Sequence, residues 1–89
     1  MTPDQITQAV SDASGVPIGR MKSGDRKRDA VCARHVAMYL IRKKTGEPFR
    51  VTSKRFNQNR CSAAHAFDYV SNQIEVKQTD TMYLLSLLE

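Results

Sequence analysis

The stretch FNQNRCSAAHAFDYV, residues 56–70, joins the end of one predicted helix to the start of another through a polar turn. Asn57 tolerates the left-handed backbone conformation that ends a helix, and Asn59 can cap the helix that follows. We predict this second helix over residues 60–76 and a short first helix over residues 49–56. The core anchors expected for the short helix are Phe49, Val51 and Phe56. Two helices joined by such a turn are the pattern of a helix-turn-helix.

The rest of the sequence also predicts helices and no strand. Thr2 and Pro3 provide a helix start, and Gly15 provides a helix end. Residues 28–44 carry a wide apolar face and a basic C-terminal end, Arg42-Lys43-Lys44, that complements the helix dipole. A last helix is predicted in TDTMYLLSLLE, residues 79–89. We therefore expect residues 1–89 to form a single all-α domain.

The positive charge of the chain is concentrated in one window. The whole chain has a formal net charge of +5. Between residues 20 and 60 there are 13 Lys or Arg and three acids, a local charge of +10, which leaves −5 elsewhere. A basic region of this kind favours a polyanionic partner, because each neutralised phosphate releases counterions. The window predicts binding to nucleic acid.

Several other classes of protein are not predicted. Cys32 and Cys61 lack metal-ligand spacing and are expected to be reduced thiols without a bound metal. No apolar run approaches the roughly 20 residues that a membrane span requires, and the N-terminus is not signal-like. His35 and His65 form no recognisable catalytic triad, and His65 is expected to pack. We expect a soluble, cytoplasmic, nucleoid-associated chain that is not an enzyme and has no cofactor.

In a helix-turn-helix the second helix enters the major groove, while the first crosses the DNA backbone. Arg can pair with guanine, Asn with adenine, and Ser with bases or phosphate. The side chains expected to read the major groove are Asn59, Arg60, Cys61 and Ser62. The side chains expected to contact phosphates from the first helix are Arg50, Lys54 and Arg55.

The segment RKRDAVCARHVAMYLIRKKTG, residues 26–46, resembles the long helix of the C-terminal DNA-binding domain of the bacterial replication initiator DnaA. The matching residues are Arg26, Arg34, Ala37, Met38, Tyr39, Leu40 and Thr45. The similarity begins at Ile6, is ungapped as far as Phe56 and ends near Ile74. It implies a Trp-repressor-like helical domain with a helix-turn-helix. Because the sequence begins with Met1 and a short lead, we expect a natural stand-alone protein.

The resemblance also implies roles for individual residues. Arg26 matches an arginine that enters the minor groove, and Lys27 and Arg28 extend the same basic loop. Arg34 matches an arginine that meets DNA, and His35 stands where the family has Gln. Ser62 aligns with a Thr at the start of the recognition helix. These residues are expected to contact double-stranded DNA.

The sequence departs from the family at the turn. The family signature there is Gly-Gly-Arg-Asp-His-Thr-Thr, whereas this chain has Asn-Gln-Asn-Arg-Cys-Ser over residues 57–62, one residue shorter. The preferred DNA sequence is therefore not expected to follow from the resemblance. No GxxxxGK[ST] motif is present, so no nucleotide partner is predicted.

The expected role is regulation of replication initiation or transcription by occupying or sharing initiator sites. The alternative is a protein-interaction adaptor that contacts the replication initiator or other replication proteins and binds DNA weakly or not at all. The altered turn and the acidic, Leu-rich residues 79–89 favour this alternative.

Overall fold

The computed structural model describes residues 2–24, 26–59 and 61–75. Within these ranges it contains helices and no strands, which confirms the all-α prediction. The helices are α1 (Pro3–Ser14), α2 (Ile18–Met21), α3 (Arg28–Thr45), α4 (Phe49–Arg55) and α5 (Ser62–Glu75). The helix expected over residues 79–89 lies outside the described residues.

The first helix begins and ends where the sequence predicts. The Thr2 hydroxyl accepts a hydrogen bond from the Gln5 N–H at 3.2 Å, and the Gln5 side chain accepts one from the Thr2 N–H at 2.9 Å. These reciprocal bonds form a capping box. Gly15 ends the helix with φ 75° and donates its N–H to the Ser11 carbonyl. A short helix that the sequence did not predict, α2, starts directly after Pro17.

The long helix α3 forms the centre of the molecule and packs against all four other described helices. Its inward side is fully or almost fully buried. The predicted apolar face accounts for this burial and consists of Ala30, Ala33, Val36, Ala37, Leu40 and Ile41. Three of these six side chains are alanines, which leaves room for α1 and α5 to lie close to the α3 backbone. No helix of the described ranges is both long and apolar enough to cross a membrane.

The basic residue Arg42, in the last turn of α3, holds the chain that follows this helix. Arg42 donates from Nη1 to the carbonyls of Gly46 and Glu47, at 3.0 and 3.1 Å. Its guanidinium also lies 4.7 Å from the centre of the Phe49 ring. Gly46 adopts φ 73°, the left-handed conformation that ends a helix. This cap sets the start of α4 after Pro48.

The predicted anchors of α4 are only partly correct. Phe56 is fully buried, and Phe49 is half-buried with its ring centre 5.8 Å from that of Phe67. Val51, however, is 39% exposed, so its prediction as an anchor was wrong. The neighbouring Thr52 and Ser53 are fully buried in its place. Their hydroxyls make hydrogen bonds within the fold, which removes the usual penalty for burying them.

Candidate nucleic-acid interface

The turn between α4 and α5 has the backbone geometry that the sequence predicts. Asn57 adopts φ 55°, the only non-glycine residue of the described ranges with a positive φ. Asn59 accepts a hydrogen bond through Oδ1 from the Cys61 N–H at 3.0 Å. The Ser62 N–H donates to the Asn59 carbonyl at 2.9 Å, so this turn precedes the helix. The helix therefore begins at Ser62 and not at Arg60, which lies outside the described residues.

A buried hydroxyl fixes α5 against α4. The Ser53 Oγ accepts a hydrogen bond from the Ala63 N–H at 2.8 Å. The Ser53 carbonyl also accepts a bond from the Gln58 N–H in the turn, at 2.9 Å. Ser53 therefore satisfies a backbone donor at the start of α5, a group that the helix itself leaves without a partner. This contact makes the two helices one unit.

The side chains at the start of α5 face solvent to different degrees. Asn59 and Cys61 are exposed, and Ser62 is half-buried. His65, which we expected to pack, is also exposed. The recognition-helix end thus presents polar groups that are able to donate and accept hydrogen bonds, as direct reading of base edges requires.

The outer face of α4 carries two exposed cations. Arg50 and Lys54 are both exposed and lie about one helical turn apart on α4. Together with Gln58 and part of Arg55 they line an open groove beside the turn. A cation must be accessible from solvent to contact a phosphate, and Arg50 and Lys54 are exposed.

Arg55 has a different environment from these two cations. Its Nη2 lies 2.8 Å from Glu47 Oε1, and its Nε donates to both Glu47 oxygens, at 2.9 and 3.0 Å. Its Nη1 lies 3.8 Å from Asp4 Oδ1. The hydrogen bonds to Glu47 raise the pKa of Arg55. Arg55 joins α4 to the α3–α4 connection, a structural role that the sequence analysis did not give it.

Glu47 is the carboxylate of this ion pair, and its side chain is only 11% exposed. Thr52 donates its hydroxyl to Glu47 Oε2 at 2.7 Å. Burial alone would raise the pKa of Glu47, but the hydrogen bonds from Arg55 and Thr52 and the charge of Arg55 outweigh it and lower the pKa. The carboxylate therefore holds α4 in place in its ionised form.

Arg34 is buried and not presented to solvent. Its side chain is 6% exposed, and Nε donates to the Met21 carbonyl at 2.7 Å. The structure thus gives Arg34 a different role from the direct DNA contact that the resemblance implied. It fixes the C-terminal end of α2, from which the basic loop departs.

His35 is half-buried and contacts Tyr69 edge to face, with ring centres 5.3 Å apart. Its Nδ1 atom is buried without a hydrogen-bond partner. Burial, and to a smaller extent the charge of Arg34, lowers the pKa of His35 below its ordinary value. The ring is therefore neutral near pH 7 and does not supply a positive charge to a phosphate.

The basic loop that leads into α3 is exposed at Arg26 and Lys27, and Arg28, the first residue of α3, is exposed as well. Asp29, one of the acids next to this triplet, lies at 3.0–3.1 Å from the guanidinium of Arg20 in a two-point contact. Its negative charge is thus partly balanced from α2. Asp25, the other flanking acid, lies outside the described residues.

One hydrogen bond links the basic loop to the helix-turn-helix. Asn57 donates from Nδ2 to the Lys22 carbonyl at 3.0 Å. The two residues are 35 positions apart in the chain, and no sequence signal identifies this contact. The bond therefore joins the turn of the helix-turn-helix to the residue at which the chain leaves α2 for the basic loop.

The two cysteines differ in exposure. Cys32 is half-buried and Cys61 is exposed, and the two are not joined by a disulfide; the reduced state of both thiols stays a prediction. Among the described residues, His, Cys, Asp and Glu form no group of three or more that could hold a metal ion.

Comparison with known proteins identifies the family. The family described as the bacterial DnaA protein helix-turn-helix matches residues 3–70. The chromosomal replication initiator protein DnaA of two Porphyromonas gingivalis strains is 35% identical over 77 residues, which cover 85% of this chain and 16% of the relative. The same protein of a Picosynechococcus species is 44% identical over 43 residues, covering 48% of this chain and 10% of the relative. The chain spans about one sixth of the length of the Porphyromonas relatives. On the family match, this chain belongs to the bacterial DnaA helix-turn-helix family of DNA-binding domains.

Proposed function

We propose that this domain binds double-stranded DNA and regulates replication initiation or transcription by occupying or sharing initiator sites. The observation that carries the proposal is the pair of exposed cations, Arg50 and Lys54, on the first helix of a helix-turn-helix. That helix crosses the DNA backbone when the second helix enters the major groove. The exposed basic loop at Arg26 adds a second cationic element to the same chain.

The proposed mechanism divides the contacts among three elements. The loop residues Arg26, Lys27 and Arg28 address the minor groove or its phosphates, where a narrow groove attracts cationic side chains. Arg50 and Lys54 position the domain on the backbone without reading sequence. Arg34 and Arg55 support the fold behind these elements, since one is buried and the other is paired with Glu47.

Base reading is assigned to the turn and the start of α5. The residues proposed for it are Asn59, Arg60, Cys61 and Ser62. Because these differ from the family signature, we propose that the preferred site differs from the DnaA box. His35, a neutral ring in edge-to-face contact with Tyr69, is proposed to contribute shape and not charge.

The adaptor hypothesis stays a prediction, as does contact with the replication initiator or other replication proteins. Residues 79–89, which partly motivate it, lie outside the described residues. That the chain is not an enzyme, and that it is cytoplasmic and nucleoid-associated, also remain predictions, consistent with membership of a non-catalytic DNA-binding family.

The test measures binding of the purified chain to a DnaA-box duplex, a scrambled duplex of equal composition and a random-sequence pool, each at two salt concentrations. We expect saturable binding that weakens steeply with salt, because phosphate contacts release counterions. We also expect the pool to yield a sequence bound more tightly than the DnaA box. The absence of saturable binding at low salt would refute the DNA-binding proposal and favour the adaptor.

Two substitutions separate base reading from backbone contact on the selected site. Arg60→Ala is expected to relax the sequence preference, with a discrimination loss of about 1–3 kcal/mol at one base pair. Lys54→Ala is expected to weaken all sequences alike. If the preference for the selected site survives Arg60→Ala unchanged, the major-groove role of Arg60 is wrong.

A further inference from the structure

Two successive carbonyls at the end of α2 are each held by a side chain from a distant part of the chain. The Met21 carbonyl accepts the bond from Arg34 Nε at 2.7 Å in the core. The Lys22 carbonyl accepts the bond from Asn57 Nδ2 at 3.0 Å at the surface. The chain leaves this double attachment directly into the basic loop.

Asn57 combines a backbone requirement with this side-chain contact. With φ 55° it occupies the left-handed conformation, which Gly adopts most readily and Asn tolerates better than most residues. Gly could provide the same turn, but Gly has no side-chain amide to reach the Lys22 carbonyl. The conformation alone therefore does not account for Asn at this position.

We propose that Asn57 is a positioning residue that fixes the basic loop relative to the recognition helix. The inference rests on the proposed DNA-binding function and adds to it a residue that sets the distance between the minor-groove and major-groove contacts. Asn57 is itself held in the fold, because the preceding residue, Phe56, is fully buried and Ser53 accepts a hydrogen bond from the first turn of α5.

The reach of the chain shows why this single bond matters to the loop. Arg26 follows Lys22 by four residues, so their Cα atoms are separated by at most about 14 Å even in a fully extended chain. Holding the Lys22 carbonyl therefore restricts where Arg26 can go. Without the bond, the start of the loop loses this constraint, and more of its ordering has to be completed on binding DNA.

The first experiment tests the link without DNA, by limited trypsin digestion of the whole chain. Trypsin cleaves after Lys22, Arg26, Lys27 and Arg28, and mass spectrometry separates these cuts from those elsewhere. In Asn57→Gly, the ratio of cleavage in the loop to cleavage within α3 and α4 should rise about two- to fivefold. This factor is in the lower part of the range expected for the loss of one hydrogen bond, because the bond from Asn57 is exposed.

A second variant and a matched control make this result specific. Asn57→Asp keeps the size of the side chain but replaces the N–H donor with an acceptor facing the Lys22 carbonyl, and it should increase loop cleavage as well. Gln8→Ala removes an exposed amide hydrogen bond, to Asp12, from α1 and should leave loop cleavage unchanged. Unchanged loop cleavage in both Asn57 variants would overturn the link.

The second experiment tests the consequence for binding. The loss of affinity caused by Arg26→Ala should be about two- to fivefold smaller in an Asn57→Gly background than in the unaltered chain, because a loosened loop contributes less. The loss caused by Arg50→Ala should be equal in both backgrounds. If Arg26→Ala causes the same loss of affinity in both backgrounds, the positioning role of Asn57 is wrong.

The two experiments fail in different ways. If the unaltered chain does not bind DNA at all, the proposed function fails, and with it the role of Asn57 in recognition. The digestion result would still decide separately whether Asn57 holds the loop. If the chain binds DNA and digestion is unchanged, the proposed function stands and the inference about Asn57 falls.

Discussion

Four cations of this domain form two pairs that have similar chemistry and different environments. Arg34 is 6% exposed and bonded to the Met21 carbonyl, and Arg55 is bound to Glu47 at 2.8 Å. Arg50 and Lys54, on the outer face of α4, are exposed. The difference teaches that the tertiary neighbours of a basic residue, and not its position in a basic window, decide whether it is bonded within the fold or exposed to solvent.

Arg34 and Arg55 are held by partners that are distant or inconspicuous in the sequence. Arg34 bonds a carbonyl 13 positions away, and Arg55 bonds a carboxylate eight positions away. Glu47 is one of only three acids in the basic window, and its location between α3 and α4 places it within reach of Arg55. Only 11% of the Glu47 side chain is exposed, against 36% of the Arg55 side chain, so this ion pair is screened less than one between two fully exposed groups.

The largest effect on stability is expected for Arg34→Ala. The substitution leaves the Met21 carbonyl without its buried donor and removes a packed side chain from the core. We expect a loss of about 2–4 kcal/mol in the free energy of unfolding, measured by urea denaturation followed by circular dichroism.

Arg34→Lys is the control for charge. Lys keeps the positive charge but lacks the Nε donor and the planar guanidinium, so it should restore less than half of the lost stability. A loss below about 0.5 kcal/mol for Arg34→Ala would show that Arg34 contributes no more to stability than an exposed residue and would contradict the comparison.

A smaller effect, with a distinctive pH dependence, is expected for Glu47→Gln. We expect a loss of about 1–2 kcal/mol near pH 7, because Arg55 and Thr52 lose an ionised acceptor. The pKa of Glu47 is lower in the folded than in the unfolded chain. Its stabilisation is therefore complete above the ordinary Glu value of about 4.5 and is lost as the pH falls through the lower folded pKa.

The measurement is urea denaturation of both proteins from pH 7 to pH 2.5. The stability difference between them should be constant near neutrality and shrink on the acid side of pH 4.5. Asp4→Asn provides the control, since Asp4 is exposed and lies 3.8 Å from Arg55, and it should change stability little. A difference between wild type and Glu47→Gln that does not vary with pH would contradict the role given to the Glu47 carboxylate.

The smallest effect on stability is expected for Val51→Ala on the outer face of α4. Val51 is 39% exposed, so its truncation should change stability by less than about 0.5 kcal/mol. Val36→Ala is the matched control, because Val36 is fully buried in α3 and should lose about 2 kcal/mol in the same denaturation experiment. Equal losses for the two valines would show that the outer face of α4 is packed, contrary to the structure.

The sequence predicted most of the helical scaffold because its signals are local. Thr2, Pro3 and Gly15 act within a few residues of the helix ends that they define, and Asn57 takes the left-handed conformation expected of it. The burial of the predicted α3 face follows from helical periodicity. The family resemblance rested on this same scaffold and is confirmed by the match over residues 3–70.

The burial of side chains was predicted less well where their hydrogen-bond partners come from other parts of the fold. Thr52 and Ser53 are polar and yet fully buried, because Glu47 and the Ala63 N–H satisfy their hydroxyls. Val51 was therefore placed on the wrong side of α4. The bond from Asn57 to the Lys22 carbonyl also has no local signature. Which of the predicted DNA contacts read bases stays a prediction, since that depends on the DNA itself.

The central claim is that Lys54 binds DNA while Arg55 holds the fold, although the two are adjacent in the sequence. The most direct test compares Lys54→Gln with Arg55→Gln, each losing one charge, by measuring DNA affinity against salt concentration at a temperature where both are folded. We predict that Lys54→Gln makes the slope of log affinity on log salt shallower by about 0.9 with unchanged stability. Arg55→Gln should keep the slope and lose stability. An equal change of slope in both variants would contradict the account.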